Sequence, residues 1–113
     1  MRIVLFGAEA TGLGAALAAH LHLDHIQRPE EIAADGFVLE GAPRDVDEAR
    51  SLDASLRRRA ADIDAVLWVR SRPLTPQTES VLDHYRGRVV ELEPGADPLE
   101  AAIDGLREAL LTA

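Results

Sequence analysis

Met1-Arg2-Ile3-Val4-Leu5-Phe6-Gly7-Ala8-Glu9-Ala10-Thr11-Gly12-Leu13-Gly14-Ala15 is the stretch on which the fold turns. Ile3 to Phe6 is an unbroken apolar run, as in a strand buried on both faces. It stops at Gly7, and the chain resumes through Gly12 and Gly14 into a small-residue helix over residues 15–21. A strand, a glycine-rich turn and a helix are the layout of a phosphate-binding loop. That loop follows G-x-x-x-x-G-K-[ST]. Its backbone N–H groups cradle phosphates, the Lys reaches the terminal ones and the hydroxyl holds Mg²⁺. Gly7 and Gly12 keep the spacing of the outer glycines, with Ala8, Glu9, Ala10 and Thr11 between them. The Lys position is Leu13, and neither Gly14 nor Ala15 brings the hydroxyl. The loop keeps the shape of the motif and lacks its chemistry.

The rest of the chain continues the rhythm. Leu23-Asp24-His25-Ile26 reads as a short second strand, and residues 29–34 as one helical turn with Pro29 at its first position. Residues 36–41 make a third strand closed by Gly41. Asp45 and Glu48 form a capping pattern, and Val46, Ala49, Leu52, Leu56 and Ala60 follow at helical spacing. Arg57, Arg58 and Arg59 fall in the last turn of that helix, where cations suit the dipole. Residues 65–69 are a fourth strand. Thr75 caps a helix with Pro76 at its first position; Thr78, Val81, Leu82 and Tyr85 line one side, and Gly87 ends it. Residues 88–92 are a fifth strand. Asp97 and Glu100 form a second capping box, opening a helix with Leu99, Ile103, Leu106 and Leu110 on its buried stripe. Strands alternating with helices predict an α/β fold: a three-layer, five-stranded parallel sheet with helices on both faces. In such a sheet a ligand sits outside the carboxyl ends of the strands. The residues expected there are 7–14, 27–28, 40–44, 70–72 and 93–95.

Bulk composition narrows the partners. The 113 residues suit a single domain, 1–113, with one core. Hydrophobic residues make up 47% of the chain and aromatics 4%, so the core is drawn from Leu, Val, Ile and Ala. A net charge of −8 argues against nucleic acid or an anionic membrane as partner. It also disfavours a nucleoside triphosphate unless cations gather locally. The absence of cysteine rules out disulfides and thiolate metal sites and fits a reducing, cytoplasmic setting. Arg2 and the apolar run imitate a signal peptide, but Glu9 interrupts it. No run reaches the ~18 apolar residues of a membrane span.

In the order of its blocks the sequence resembles an adenylate kinase, or more broadly a nucleoside monophosphate kinase of the P-loop NTPase fold. Residues 7–15 stand where that family has G-x-P-G-x-G-K-G-T. Residues 17–26, LAAHLHLDHI, resemble L-A-E-K-L-G-I-P-H-I. Residues 35–44, DGFVLEGAPR, resemble D-G-F-I-L-D-G-F-P-R, and residues 77–85, QTESVLDHY, resemble Q-T-A-P-L-I-D-Y-Y. The resemblance covers the core end to end without two family insertions. Only residues 27–35 stand where the helical monophosphate-binding segment belongs, and only residues 70–74 where the arginine-bearing lid belongs.

The resemblance carries site residues with it. Arg44 matches the arginine that grips the monophosphate, Glu48 falls where a Gln often reads the adenine, and Arg28 aligns with one residue of the monophosphate segment. Glu40 stands at the Asp beside Mg²⁺ and Glu30 at another Asp, which makes them the metal candidates. Phosphoryl transfer depends on positioning and on cations around the transferring group. Losing one preorganised donor costs ~10²–10³ in rate. With Leu13 at the Lys position, Glu9 in the loop and no lid, no catalytic residue is assigned. The expectation is a degenerate adenylate-kinase core that transfers no phosphoryl group and acts through binding, to a protein or to itself. The alternative is a nucleotide-binding protein or weak monophosphate kinase using Mg²⁺ with ATP and AMP.

Overall fold

The computed structural model describes residues 1–7, 12–33, 35–70, 75–93 and 98–111, with the backbone alone for Leu110 and Leu111. The loop positions Ala8, Glu9, Ala10 and Thr11, the turn at 71–74 and the Asp97 cap therefore lie outside the described residues. So does the side chain of Leu110.

In chain order the elements are β1 (Arg2–Phe6), α1 (Leu13–Leu21), β2 (Asp24–Ile26), a 3₁₀ turn (Pro29–Glu31), β3 (Phe37–Glu40), α2 (Val46–Arg57), β4 (Ala65–Val69), α3 (Pro76–His84), β5 (Val89–Leu92) and α4 (Pro98–Leu111). The five strands pair in parallel in the order β2-β3-β1-β4-β5. The expected α/β architecture is therefore present, with a helical layer on each face.

Period-two alternation explains the two layers. Val4, Phe6, Phe37, Leu39 and Val66 point to one face, where they pack with Leu52 and Leu56 of α2 and Val81 of α3. Ile3, Leu5, Val38 and Leu67 point to the other, against Leu13 and Leu17 of α1 and Ala102 and Leu106 of α4. The central strands read as continuous apolar runs because both of their faces are covered. Trp68 is partly buried against the α2–α3 layer.

The caps follow the sequence where they are described. The Asp45 carboxylate accepts from the Glu48 N–H at 2.8 Å, and Thr75 Oγ1 accepts from the Thr78 N–H at 3.2 Å. Several boundaries fall one to three residues from expectation, among them the 3₁₀ turn, which stops at Glu31, and α3, which stops at His84; two have a backbone cause. Helix α1 starts at Leu13, two residues earlier, because Gly12 takes φ 73° and turns the chain into the helix at once. Helix α2 ends at Arg57, and Ala60 leaves the buried stripe at φ 56°, outside the helical region. Ala61 is buried in its place.

The seam between α2 and α3 holds a buried polar cluster. Asp53 accepts from His84 Nε2 at 2.6 Å through Oδ2 and from the Tyr85 hydroxyl at 3.0 Å through Oδ1. The two rings meet edge to face with centroids 4.8 Å apart. Burial, and then the charge and hydrogen bond of Asp53, push the Tyr85 phenol well above the usual tyrosine range. The Arg88 guanidinium, 5.5 Å above the ring centroid, opposes that shift.

Candidate functional site

The strand order reverses at β1. After β1 the chain crosses into α1 on one face; after β3 it crosses into α2 on the other. Two neighbouring loops leaving in opposite directions open a crevice at the carboxyl ends of β1 and β3, the usual place for a ligand in a parallel sheet.

Backbone geometry dictates the β1 side of the crevice. Gly7 has φ 85°, and a Cβ there would collide with the carbonyl oxygen of Val69. Only glycine lets β1 turn this close to β4. Gly12 is exposed, and Ala15 is exposed one turn into α1. Leu13 is 2% exposed and belongs to the α1–α4 core. The position where the motif carries its cation therefore supplies an apolar anchor, worth about 1.5–3 kcal/mol of burial.

Gly14 makes a close approach of another kind. A Cβ at Gly14 would collide with Glu40 Oε1 and stand 2.8 Å from His25 Nε2. Those two groups are themselves bonded, Nε2 to Oε1 at 2.9 Å. Glu40 is only 8% exposed, although it ends β3 at the mouth of the crevice. Its other oxygen, Oε2, is buried and has no hydrogen-bond partner, which singles it out among the described side chains. A buried carboxylate with one oxygen unanswered is unusual and calls for a reason.

The β3 side opens into a cleft of about 430 Å³. Gln27, Arg28, Pro29 and Glu30 wall it on one side, and Glu40, Gly41, Ala42, Arg44 and Glu48 on the other. The Ala42–Pro43 peptide bond beside it is cis. Arg28, Arg44 and Glu48, which the sequence scatters over 21 positions, thus share one cavity with Glu30 and Glu40. Both arginines are held loosely. Arg28 Nε lies 3.4 Å from Glu31, and Arg44 Nε lies 3.6 Å from Glu48. Exposed pairs of this sort contribute about 0–1 kcal/mol, so a ligand anion can exchange for either carboxylate. Arg70 is engaged elsewhere, 2.9 Å from Glu91 and 3.2 Å from Glu93.

Among the described residues no group of three or more His, Asp or Glu side chains is placed to hold a metal ion. Glu40 and Glu30, the metal candidates, line the same cleft, and Glu40 is taken by His25 rather than by a third carboxylate. The pairing of His25 with Glu40 is what sequence reasoning did not foresee. The signal lay in the strand register. His25 pairs with Val38, so Glu40, two residues farther along β3, lies on the same face of the sheet. That register is invisible until β2 and β3 are known to be neighbours.

No protein-family model matches this chain. Comparison with curated proteins finds adenylate kinases. The adenylate kinase of Mycobacterium tuberculosis (strain ATCC 25618 / H37Rv) is 42% identical over 65 residues, 58% of this chain and 32% of that protein. That of Mycobacterium ulcerans is 49% identical over the same length and shares. That of Mycolicibacterium paratuberculosis is 47% identical over 47 residues, 42% of this chain and 25% of that protein. The match spans about a third of the length of the first two relatives. Among the described residues no helix is long and apolar enough to cross a membrane. Sequence similarity and a five-stranded parallel sheet with the crevice in the expected place agree, and the chain is adenylate-kinase-like over the part that it shares with these enzymes.

Proposed function

We propose that this chain is a nucleotide-binding domain of adenylate-kinase type that has given up phosphoryl transfer. It holds a nucleoside monophosphate in the cleft between Arg28 and Arg44 and has no machinery to pass a phosphoryl group to it. The observation that carries this reading is the contrast across one crevice. Arg28 and Arg44 line the cleft on the β3 side, while the position where the motif carries its cation, on the β1 side, is the buried Leu13, and the Glu40 carboxylate stands against the first turn of α1. The first arrangement suits a monophosphate dianion. The second supplies no cation where a transferring phosphoryl group would need one.

The lengths of the connections support the same reading. One 3₁₀ turn, Pro29–Glu31, is the only helical element described between β2 and β3, and six residues separate β4 from α3. Neither leaves room for a lid that would exclude water from a reacting phosphate.

A coupled assay for ADP formation from ATP and AMP with Mg²⁺ tests the loss of transfer; the expected rate equals the blank. Thermal shift tests the binding. AMP at 100 times its Kd stabilises the protein by about 2.7 kcal/mol. The Arg44→Ala variant, exposed and outside the core, should keep its melting temperature and lose the AMP response. Turnover at an ordinary enzymatic pace would overturn the first half of the reading. An AMP response unaltered by Arg44→Ala would overturn the second.

A further inference from the structure

We infer that Glu48 is a base-reading residue: its carboxylate takes the two adjacent N–H donors of guanine, so that the monophosphate this domain favours is a guanine nucleotide and not an adenine one. The inference rests on the nucleotide-domain reading, because it names the base of a ligand whose phosphate that reading assigns to Arg28 and Arg44.

The first observation is a second cavity. A recess of about 340 Å³ adjoins the arginine-lined cleft and shares Pro29, Glu30 and Glu48 with it. Glu48, Ser51, Leu52 and Ser55 line the recess at the spacing of one helix face of α2. Glu48 therefore borders both spaces. Pro29 and the buried Leu52 give the recess apolar surface for a flat ring.

The second observation is that the two spaces offer opposite charge. Arg28 and Arg44 line the cleft. None of the described residues lining the recess is a cation, and Glu30, Asp45, Asp47 and Glu48 bring carboxylates to it. Like charges brought together suppress the wrong placement of a ligand. The phosphate is thus kept with the arginines. What enters the recess is the uncharged part of the ligand, and it meets acceptors.

The third observation is the bonding of Glu48 itself. Its Oε2 lies 3.6 Å from Arg44 Nε, too long for a hydrogen bond. A phosphate that takes Arg44 releases this carboxylate with two oxygens to satisfy. A carboxylate accepts and does not donate. Guanine presents N1–H and the N2 amine side by side, one donor for each oxygen. Adenine and cytosine set a ring-nitrogen lone pair beside their amine, and uracil flanks its N–H with two carbonyls. Each of these three turns a lone pair toward a carboxylate oxygen. An amide at this position, with one donor and one acceptor, would match adenine instead.

Isothermal titration calorimetry with GMP, IMP and AMP tests the inference. GMP should bind the wild type about tenfold tighter than AMP or more. IMP, which keeps N1–H and lacks the N2 amine, should fall between them. Glu48→Gln should weaken GMP and tighten AMP at an unchanged melting temperature, because the Asp45 cap uses the backbone N–H of Glu48 and not its side chain. Glu48→Ala, which removes the acceptors and adds no donor, should bring GMP to the level of AMP. Wild-type protein that binds AMP or IMP as tightly as GMP overturns the inference. So does a preference for GMP that survives in both variants. Arg44→Ala separates the inference from the reading beneath it, and should weaken GMP and AMP alike. If AMP binds through Arg44 and GMP binds no better, the nucleotide reading stands and the role of Glu48 falls. If GMP is preferred but Arg44→Ala changes neither affinity, the phosphate grip falls and the role of Glu48 stands. Binding of neither nucleotide overturns both.

Discussion

Asp53 and Glu40 are the two buried carboxylates of the described core, each 8% exposed and each bonded to a histidine Nε2. They sit in different company. Asp53, in the seam of α2 and α3, answers both oxygens, one with His84 at 2.6 Å and one with Tyr85 at 3.0 Å. Glu40, at the carboxyl end of β3, answers only Oε1. A buried charge is tolerated when its hydrogen bonds are complete, and is costly when they are not. Completeness therefore separates a carboxylate that fastens two helices from one that borders a cleft. The difference is one of place: the seam is closed by two helices, whereas the carboxyl end of β3 borders an open cleft.

The largest effect expected of any substitution in this pair is at the seam. Asp53→Ala removes the acceptor of two groups at once and leaves the wholly buried Tyr85 hydroxyl without a partner. The cost should be about 2–4 kcal/mol, read from the urea midpoint with the single Trp68 as fluorophore. A loss below about 1 kcal/mol would mean that the seam is held by Val81 and Leu52 alone, and the contrast with Glu40 would lose its meaning.

The same seam predicts an alkaline limit. The Tyr85 pKa is raised in the folded protein, so its contribution to stability is complete below the unfolded value of about 10 and is lost as pH rises above it. The loss should run at about 1.4 kcal/mol per pH unit while only the unfolded phenol ionises. Tyr85 is the single tyrosine of the chain, so phenolate absorbance reports it alone. Its ionisation should coincide with unfolding, and in Tyr85→Phe the steep alkaline slope should disappear. A phenol that titrates near its ordinary value in the folded protein would break this account of the seam.

How much of this was legible in the sequence follows from which interactions are local. Alternation in β1, β3 and β4, the Asp45 and Thr75 caps and the glycine spacing are relations between near neighbours, and they led to the right architecture. The DGFVLEGAPR block located the cleft, because the resemblance brought Arg44 and Glu48 with it. What escaped was long-range. His25 meets Glu40 only through the β2–β3 register, and His84 meets Asp53 only through the packing of α3 on α2. Leu13 shows the boundary well. The sequence revealed that the Lys was gone, but only the packed structure reveals that its replacement anchors α1 in the core.

A smaller effect sharpens the crevice side. Gly14→Ala places a carbon against the Glu40–His25 pair, and by helix propensity alone it should stabilise α1 by up to about 1 kcal/mol. In the wild type, displacement of the pair should cancel that gain. In the Glu40→Ala background the space is open, and the gain should reappear. A double-mutant cycle should therefore give a coupling of about 0.5 kcal/mol or more between positions 14 and 40. Strict additivity would mean that the pair moves aside at no cost.

The smallest expected effect decides the comparison. Glu40→Gln keeps the size of the side chain and an oxygen for His25. It removes a charge that favours the positive end of α1, which costs about 0.3–1 kcal/mol. It also relieves the burial of a half-answered carboxylate, a gain of comparable size. The two should nearly cancel, leaving the urea midpoint within about 0.5 kcal/mol of wild type. Asp53→Asn, the same exchange of one atom, has no such relief to offer, because both oxygens of Asp53 already have donors. Its added N–H group would face one of those donors, and the loss should approach about 1–3 kcal/mol. Equal losses in the two variants would make Glu40 a second fastener like Asp53, and its place beside the cleft would then be incidental to the fold.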